Sequence, residues 1–240
     1  MMKKLLFSAL LLAAALLMAS AALAEFTVLD HGMYIFPDGK GVEVMVVYEL
    51  QSNNPGAVYT PGTHAHVVLL DRSGNVLASQ NVRYDVDPAY IAPGGKAFVT
   101  TRFRYADTGL TSASQIADYQ LNLTVNPESY VKVDTALSAS SSSFTLSRSF
   151  LGFAGSRTLK AEATLVNQTG AMVSDFRAIF VFRDRNGHLL FAHEETYFQP
   201  VPAGGSITVE ADAIGSFYAE LLHSAGDGVT LEVIPYATSH

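Results

Sequence analysis

The chain has no cysteine and no tryptophan, and only 15% of its 240 residues are charged. The first absence excludes disulfides, thiol catalysis, iron–sulfur clusters and cysteine-rich zinc sites. The second removes the usual platform for stacking sugars. A net charge of −7 and a pI near 5.4 set the chain against nucleic acid and anionic membrane surfaces, because both need a basic face. Apolar residues are plentiful. At 49% of the total they suffice for a globular core, and the length allows one domain or two.

Residues 1–24 read MMKKLLFSALLLAAALLMASAALA. Lys3 and Lys4 make a short positive start, an apolar run follows from Leu5 to Ala19, and Ala22-Leu23-Ala24 stands before Glu25. That order is the pattern of a secretory signal peptide with a small-x-small cleavage site. The alternative, a membrane anchor, asks for a span of about 20 residues, and this run is short for it. The expectation is therefore a cleaved chain, secreted or periplasmic, with no membrane insertion after cleavage. Without Lys3 and Lys4, 13 basic residues face 22 acidic ones, a net charge of −9.

The remainder reads as two copies of one pattern. Phe26-Thr27-Val28-Leu29 returns as Phe144-Thr145-Leu146-Ser147, and Leu50 as Leu165. Asp71-Arg72-Ser73-Gly74 returns as Asp184-Arg185-Asn186-Gly187, and Pro93-Gly94-Gly95 as Pro202-Ala203-Gly204-Gly205. Leu123 to Pro127 returns as Leu231 to Pro235. The offsets are 118, 115, 113, 110 and 108, a steady fall expected of a second copy with shorter loops.

Each copy carries the marks of antiparallel β structure. Residues 42–48 are β-branched and end in the turn-forming Ser52-Asn53-Asn54-Pro55-Gly56. Residues 65–70 and 76–78 flank a tight turn whose Gly74 supplies a positive φ. Short helices are expected at 112–117 and 216–223. The reading is all-β: two tandem immunoglobulin-like β-sandwich domains after a signal peptide, of about seven strands each. Domain 1 spans 25–134, a Ser-rich linker 135–143, and domain 2 144–240.

The stretch ending in Leu69-Leu70-Asp71-Arg72-Ser73-Gly74, and its repeat from Phe180 to Gly187, resembles the FxLYD type of bacterial exported domain. Phe180 and Asp184 match the first and last letters of that pattern. Val67 stands for the phenylalanine in copy one, and Leu70 and Arg183 stand where the tyrosine falls. The resemblance implies an immunoglobulin-like sandwich on bacterial envelope or secreted proteins, and it implies no catalytic residues.

Candidate chemistry is sparse. His64 and His66 share one strand face and could share a metal, yet a site needs a third ligand and none is identifiable. Aligned with Arg177 and Ile179, they point away from the core. His193-Glu194-Glu195 lacks the second histidine of a helical metalloprotease motif. Asp85 and Asp87 beside Pro88 lack the rest of a calcium loop. No Gly-x-Ser-x-Gly elbow, phosphate loop or dinucleotide fingerprint is present, so no catalytic residue, metal ligand or cofactor is assigned. The sequons Asn122-Leu123-Thr124 and Asn167-Gln168-Thr169 matter only in a host that glycosylates exported chains.

One contrast between the copies favours a binding surface. The face opposite the core carries Met45 and Val47 in copy one but Lys160 and Glu162 in copy two. An apolar exterior marks either a contact with the sister domain or a partner, or a face covered by the segment Met33-Tyr34-Ile35-Phe36. The functional expectation is an exported, non-enzymatic binding or assembly module of the bacterial envelope or extracellular space, with binding residues drawn from Met45, Val47, His64 and His66. Its partner would be another envelope or extracellular protein. The alternatives are a metal-binding protein or metal-dependent enzyme using His64 and His66, and, last, a carbohydrate-binding module built on tyrosine and phenylalanine.

Overall fold

The computed structural model describes residues 26–38, 41–60, 64–106, 110, 112–122, 126–127, 132–134, 136–148 and 157–239. The expected signal peptide, 1–24, lies outside the described residues. The chain divides into two compact units, Met1–Ser129 and Tyr130–His240. Both are all-β, and each is built as a sandwich.

In the first unit, β1 (Phe26–Asp38), β2 (Gly41–Ser52), β8 (Lys96–Ala106) and β6 (Asp85–Asp87) form one antiparallel sheet in the order β1-β2-β8-β6. The second sheet has the order β5-β4-β9, from β4 (His64–Leu70), β5 (Val76–Arg83) and β9 (Asp118–Asn122). A small third sheet joins β3 (Val58–Tyr59), β7 (Tyr90–Ile91) and β10 (Asn126–Pro127). Alternation places Val42, Val44, Val46 and Leu50 inward from β2, where they meet Val67 and Leu69 of β4 in one core.

The second unit pairs β12 (Leu137–Arg148), β13 (Arg157–Asn167) and β16 (Ser206–Ile214) in one sheet. The other runs β11 (Lys132–Asp134), β17 (Thr230–Ser239), β14 (Phe176–Arg183), β15 (Leu189–Tyr197). Phe182 anchors its core, stacked on Phe191 at 4.6 Å and edge-on to Phe144 at 5.5 Å. Helix α1 (Ser216–Ala225) buries Ala219, Leu221 and Leu222, and Arg157 grips its Glu220 at 2.7 Å. Among the described residues the first unit has a 3-10 turn, Ala113–Gln115, before its corresponding strand.

The two units repeat each other turn for turn. Asp71 and Asp184 each accept backbone N–H bonds from the residues two and four places on, and Gly74 and Gly187 follow at φ of 79° and 84°. Ser52 N–H donates to Gly95 O and Asn167 N–H to Gly205 O, both at 2.9 Å. The pair Val58↔Ile91 returns as the bridge Val173↔Val201. These equivalences uphold the offsets 115, 113 and 110.

The outer two offsets need correction. The register breaks between Val28 and Asp30 in β1 and between Ala139 and Ser141 in β12, so Phe26 corresponds to Leu137 at an offset of 111 rather than 118. Across the second sheet, Leu121 lies opposite Val67 and Val233 opposite Phe180, which makes the last offset 112 rather than 108. The steady fall is therefore not a property of the fold.

The Ser-rich run is not a linker. Residues 137–148 form a full strand paired along its length with β13, and Lys132–Asp134 already belongs to the second unit. Serine has little β preference of its own, but Leu137 is buried and Phe144 packs on Phe182. Those anchors and the ladder hydrogen bonds override local composition.

Candidate functional site

The residues expected to bind fall in three different settings. His66 is exposed on β4, as its alternation with buried Val67 and Leu69 requires. Its ring is held by the neighbouring strand: Nδ1 lies 3.1 Å from Asn81 Oδ1 and Nε2 lies 2.9 Å from Ser79 Oγ. Both nitrogens therefore have partners. His64 pairs with Arg83 in the ladder, and its side chain lies outside the described part of the structure. Among the described residues no group of three or more His, Cys, Asp or Glu side chains is close enough to hold a metal.

Met45 and Val47 do project from the sheet face opposite the core, but neither is exposed: both are fully buried. This corrects the expectation that Met45 and Val47 are available to bind a partner, and it fits the other reading of that face, cover by the segment from Met33 to Phe36. Part of the cover is local. Tyr34 lies opposite Met45 in the β1–β2 ladder, and Gly32 lies opposite Val47. A Cβ at Gly32 would meet the Tyr34 ring and Val47 Cγ2 at 3.4 Å, so the absent side chain leaves room for the ring to lean across. Glu49, on the same face, is buried and paired with Lys96 at 2.7 Å.

The corresponding face of the second unit is polar. Ser141, Ser143, Glu162, Thr164 and Thr208 line an open trough of about 290 Å³ across β12, β13 and β16. Lys160 and Glu210 pair beside it at 2.9 Å. Along its free edge β12 carries no charge and no proline from Leu137 to Ser147, and among the described strands it pairs only with β13.

A cluster that residue patterns did not single out lies at the corner of β1, β2 and β9. His31 is exposed, and its Nδ1 lies 2.9 Å from the hydroxyl of buried Tyr119. Its ring stacks on Tyr48 with centroids 5.8 Å apart, and Tyr48 meets Tyr119 edge-on at 6.0 Å. The two phenols are hydrogen-bonded to each other. Burial pushes the Tyr48 phenol up to about 12, partly offset by that hydrogen bond, with the Asp118 charge adding to the rise. Tyr119 is raised well above the ordinary range by burial and then by Tyr48.

A second tyrosine network occupies β14, β15 and β17. Tyr236 donates to Glu194 Oε2, and Arg177 donates to Glu194 Oε1 at 3.0 Å. Burial and the Glu194 charge both raise the Tyr236 phenol. His193 pairs with Glu195 at 3.0 Å on the strand, an i,i+2 pair on one face of β15.

No family model matches the chain, and no curated protein matches it. Among solved structures it is similar to red sea bream transglutaminase at 9% identity over 78% of this chain and 26% of the other, with a TM-score of 0.24. The C-terminal globular domain of an oligosaccharyltransferase from Pyrococcus abyssi aligns at 10% identity over 90% and 47%, with a TM-score of 0.22. A calcium-binding mutant of Bacteroides uniformis beta-glucuronidase 2 aligns at 10% over 70% and 21%, with a TM-score of 0.19. The chain thus spans less than half the length of each, and likenesses of this size assign it neither fold nor function.

Proposed function

We propose that the chain is an exported, non-enzymatic binding or assembly module of the bacterial envelope or extracellular space. The observation that carries this reading is the open polar sheet of the second unit. A trough between small side chains runs beside a strand edge that carries no charge from Leu137 to Ser147, within the strand Leu137–Arg148. Extended segments add to such edges through backbone hydrogen bonds, and neighbouring side-chain pockets supply selectivity. The leader-like residues 1–24 and the absence of cysteine support export without dependence on disulfides. The strand order β1-β2-β8-β6 against β5-β4-β9 matches the A-B-E-D sheet and part of the facing sheet of immunoglobulin-like sandwiches, which supports that finer fold name.

The test is affinity capture from a host envelope extract with residues 25–240 as bait, beside the Ser143→Lys variant. Ser143 is exposed and lines the trough, so lysine there guards the edge while leaving the core alone. A partner held by the parent chain and lost with the variant supports the proposal. No partner, or one indifferent to the substitution, rejects it.

A further inference from the structure

Among the described strands, β1 and β12 are the matching edges of their units, and they are guarded differently. The β1 edge carries Asp30, Pro37 and Asp38, the charges and proline that keep edges from pairing. β12 has neither from Leu137 to Ser147, and it runs from Ser141 to Arg148 against β13 without a register shift. Ser141, Ser143, Thr145 and Ser147 are exposed, and the first two line the outer trough. Ser142, Phe144 and Leu146 alternate with them and turn the other way. Ser142 reaches the Leu231 carbonyl and Phe144 meets Phe182, yet Phe144 and Leu146 stay only half-buried.

We propose that β12 joins two copies of this chain, their edges paired antiparallel about a two-fold axis through Phe144. It rests on β12 being the docking edge and names the occupant. With that axis Phe144 lies opposite its own copy, Ser142 opposite Leu146, Ser143 opposite Thr145 and Ser141 opposite Ser147. Every inward side chain then meets an inward one, and every outer hydroxyl meets a hydroxyl. An aromatic pair and facing Ser/Thr hydroxyls are favourable cross-strand neighbours, and the half-buried Phe144 and Leu146 gain cover. A two-fold axis sets the residues beside it against their own copies, so a charge there would face its like. The outer-face charges of β13, Lys160 and Glu162, stand opposite Thr145 and Ser143, one strand back from the seam. Three strand spacings of about 4.8 Å part each from its copy, about 14 Å in all, beyond the screening length of about 8 Å at physiological salt. Two acidic chains can therefore meet along this edge without like charges in contact.

Sedimentation equilibrium on residues 25–240, which hold every described strand, tests the association, and introduced thiols test the register. The expected result is a monomer–dimer equilibrium weakened about tenfold or more by Ser143→Lys, which sets a cation beside its own copy at the seam. The chain has no cysteine of its own. In Ser141→Cys/Ser147→Cys, diamide should therefore join two copies through two disulfides, each formed as two thiols give up two protons and two electrons to the diamide. Ser147→Cys alone should not cross-link, because its two copies lie six residues apart along the seam, about 20 Å. All three positions are exposed, and melting curves show that the variants fold. The thiol pair decides the matter if Ser143→Lys does not. A chain that stays monomeric up to its solubility limit, a dimer indifferent to Ser143→Lys, or cross-linking by Ser147→Cys as fast as by the pair overturns the proposal. A monomer that still loses an envelope partner with Ser143→Lys overturns the homodimer alone and leaves the edge to another extended chain.

Discussion

The side-chain nitrogen of Asn167 lies 3.0 Å from the carbonyl oxygen of Val201, and the same nitrogen reaches the carbonyls of Ala171 and Pro202 at 2.7 and 3.1 Å. Its amide oxygen meanwhile accepts from the backbone and hydroxyl of Thr169. Asn167 is fully buried, and it closes the turn between β13 and β14 around a single side chain. Ser52 holds the same place in the first unit and does far less, accepting one N–H from Asn54 at 3.3 Å.

Asn167→Ala leaves three carbonyls without this donor in a buried turn. The expected cost is about 2–3 kcal/mol, read as a lower urea midpoint for the second unit. Ser52→Ala should cost much less.

The same geometry bears on modification. A glycan on Asn167 cannot coexist with its three hydrogen bonds, so folded chain secreted from a glycosylating host should carry none there. Peptide mass mapping of the folded fraction checks this, and an occupied Asn167 in native protein contradicts the structure.

The two aspartate turns should respond unequally. Asp184 is buried and its carboxylate accepts the backbone N–H groups of Asn186 and His188. Asp184→Ala should cost about 1–2 kcal/mol. Asp71 makes the same bonds in solvent, with the Asn75 side chain and backbone holding its carboxyl below the usual range. Asp71→Ala should shift the melting temperature less.

Gly228 adopts φ +89°, and a Cβ there would approach Arg185 Cβ to 2.9 Å. Gly228→Ala should destabilise the second unit by about 1–2 kcal/mol. Gly170, with open space around it and no positive φ, should accept alanine without loss. Paired thermal melts compare the two.

Alkali should find the Tyr236 network. Burial and Glu194 raise this phenol in the folded state, so the unfolded chain releases its proton first, near the ordinary value of about 10. Stability from this group is present below that pH and falls as pH rises beyond it. Tyr236→Phe should flatten the decline, measured by denaturant midpoints at increasing pH.

What could be read from residues alone was what local chemistry dictates. The Asp–Gly hairpins were legible because aspartate and a positive-φ glycine make the turn without help from elsewhere. The outward direction of His66 and the inward direction of Val67 followed from strand alternation. The displaced offsets at Phe26 and Leu123 had a different cause: a bulge at Leu29 or Ser140 shifts register without leaving a residue type that announces it. Matching letters instead of register then brought Phe26 to Phe144. The face bearing Met45 and Val47 was read correctly, but whether it is open depends on what lies over it, and the lean of Tyr34 across Gly32 is a packing fact. His31 was missed because Tyr119 stands 88 residues away. Realignment at 111 would have revealed it, since His31 and Tyr48 then pair with Ser142 and Ala163.

Strand β12 has a kinetic consequence. A serine-rich segment with weak intrinsic β preference is held to the second unit by one ladder, by apolar anchors such as Leu137 and Phe144, and by side-chain hydrogen bonds such as Ser142 to the Leu231 carbonyl. Such a segment can detach at the loss of the edge contact from Phe144, while Phe182, Phe191 and Tyr218, which belong to other elements, keep their contacts with one another. Its amide protons should be the first in the sheet to exchange with deuterium. A unit that opens along this line offers, for the lifetime of each opening, a vacant strand position beside β13. Local unfolding, not only the static edge, then sets how readily an incoming chain is received.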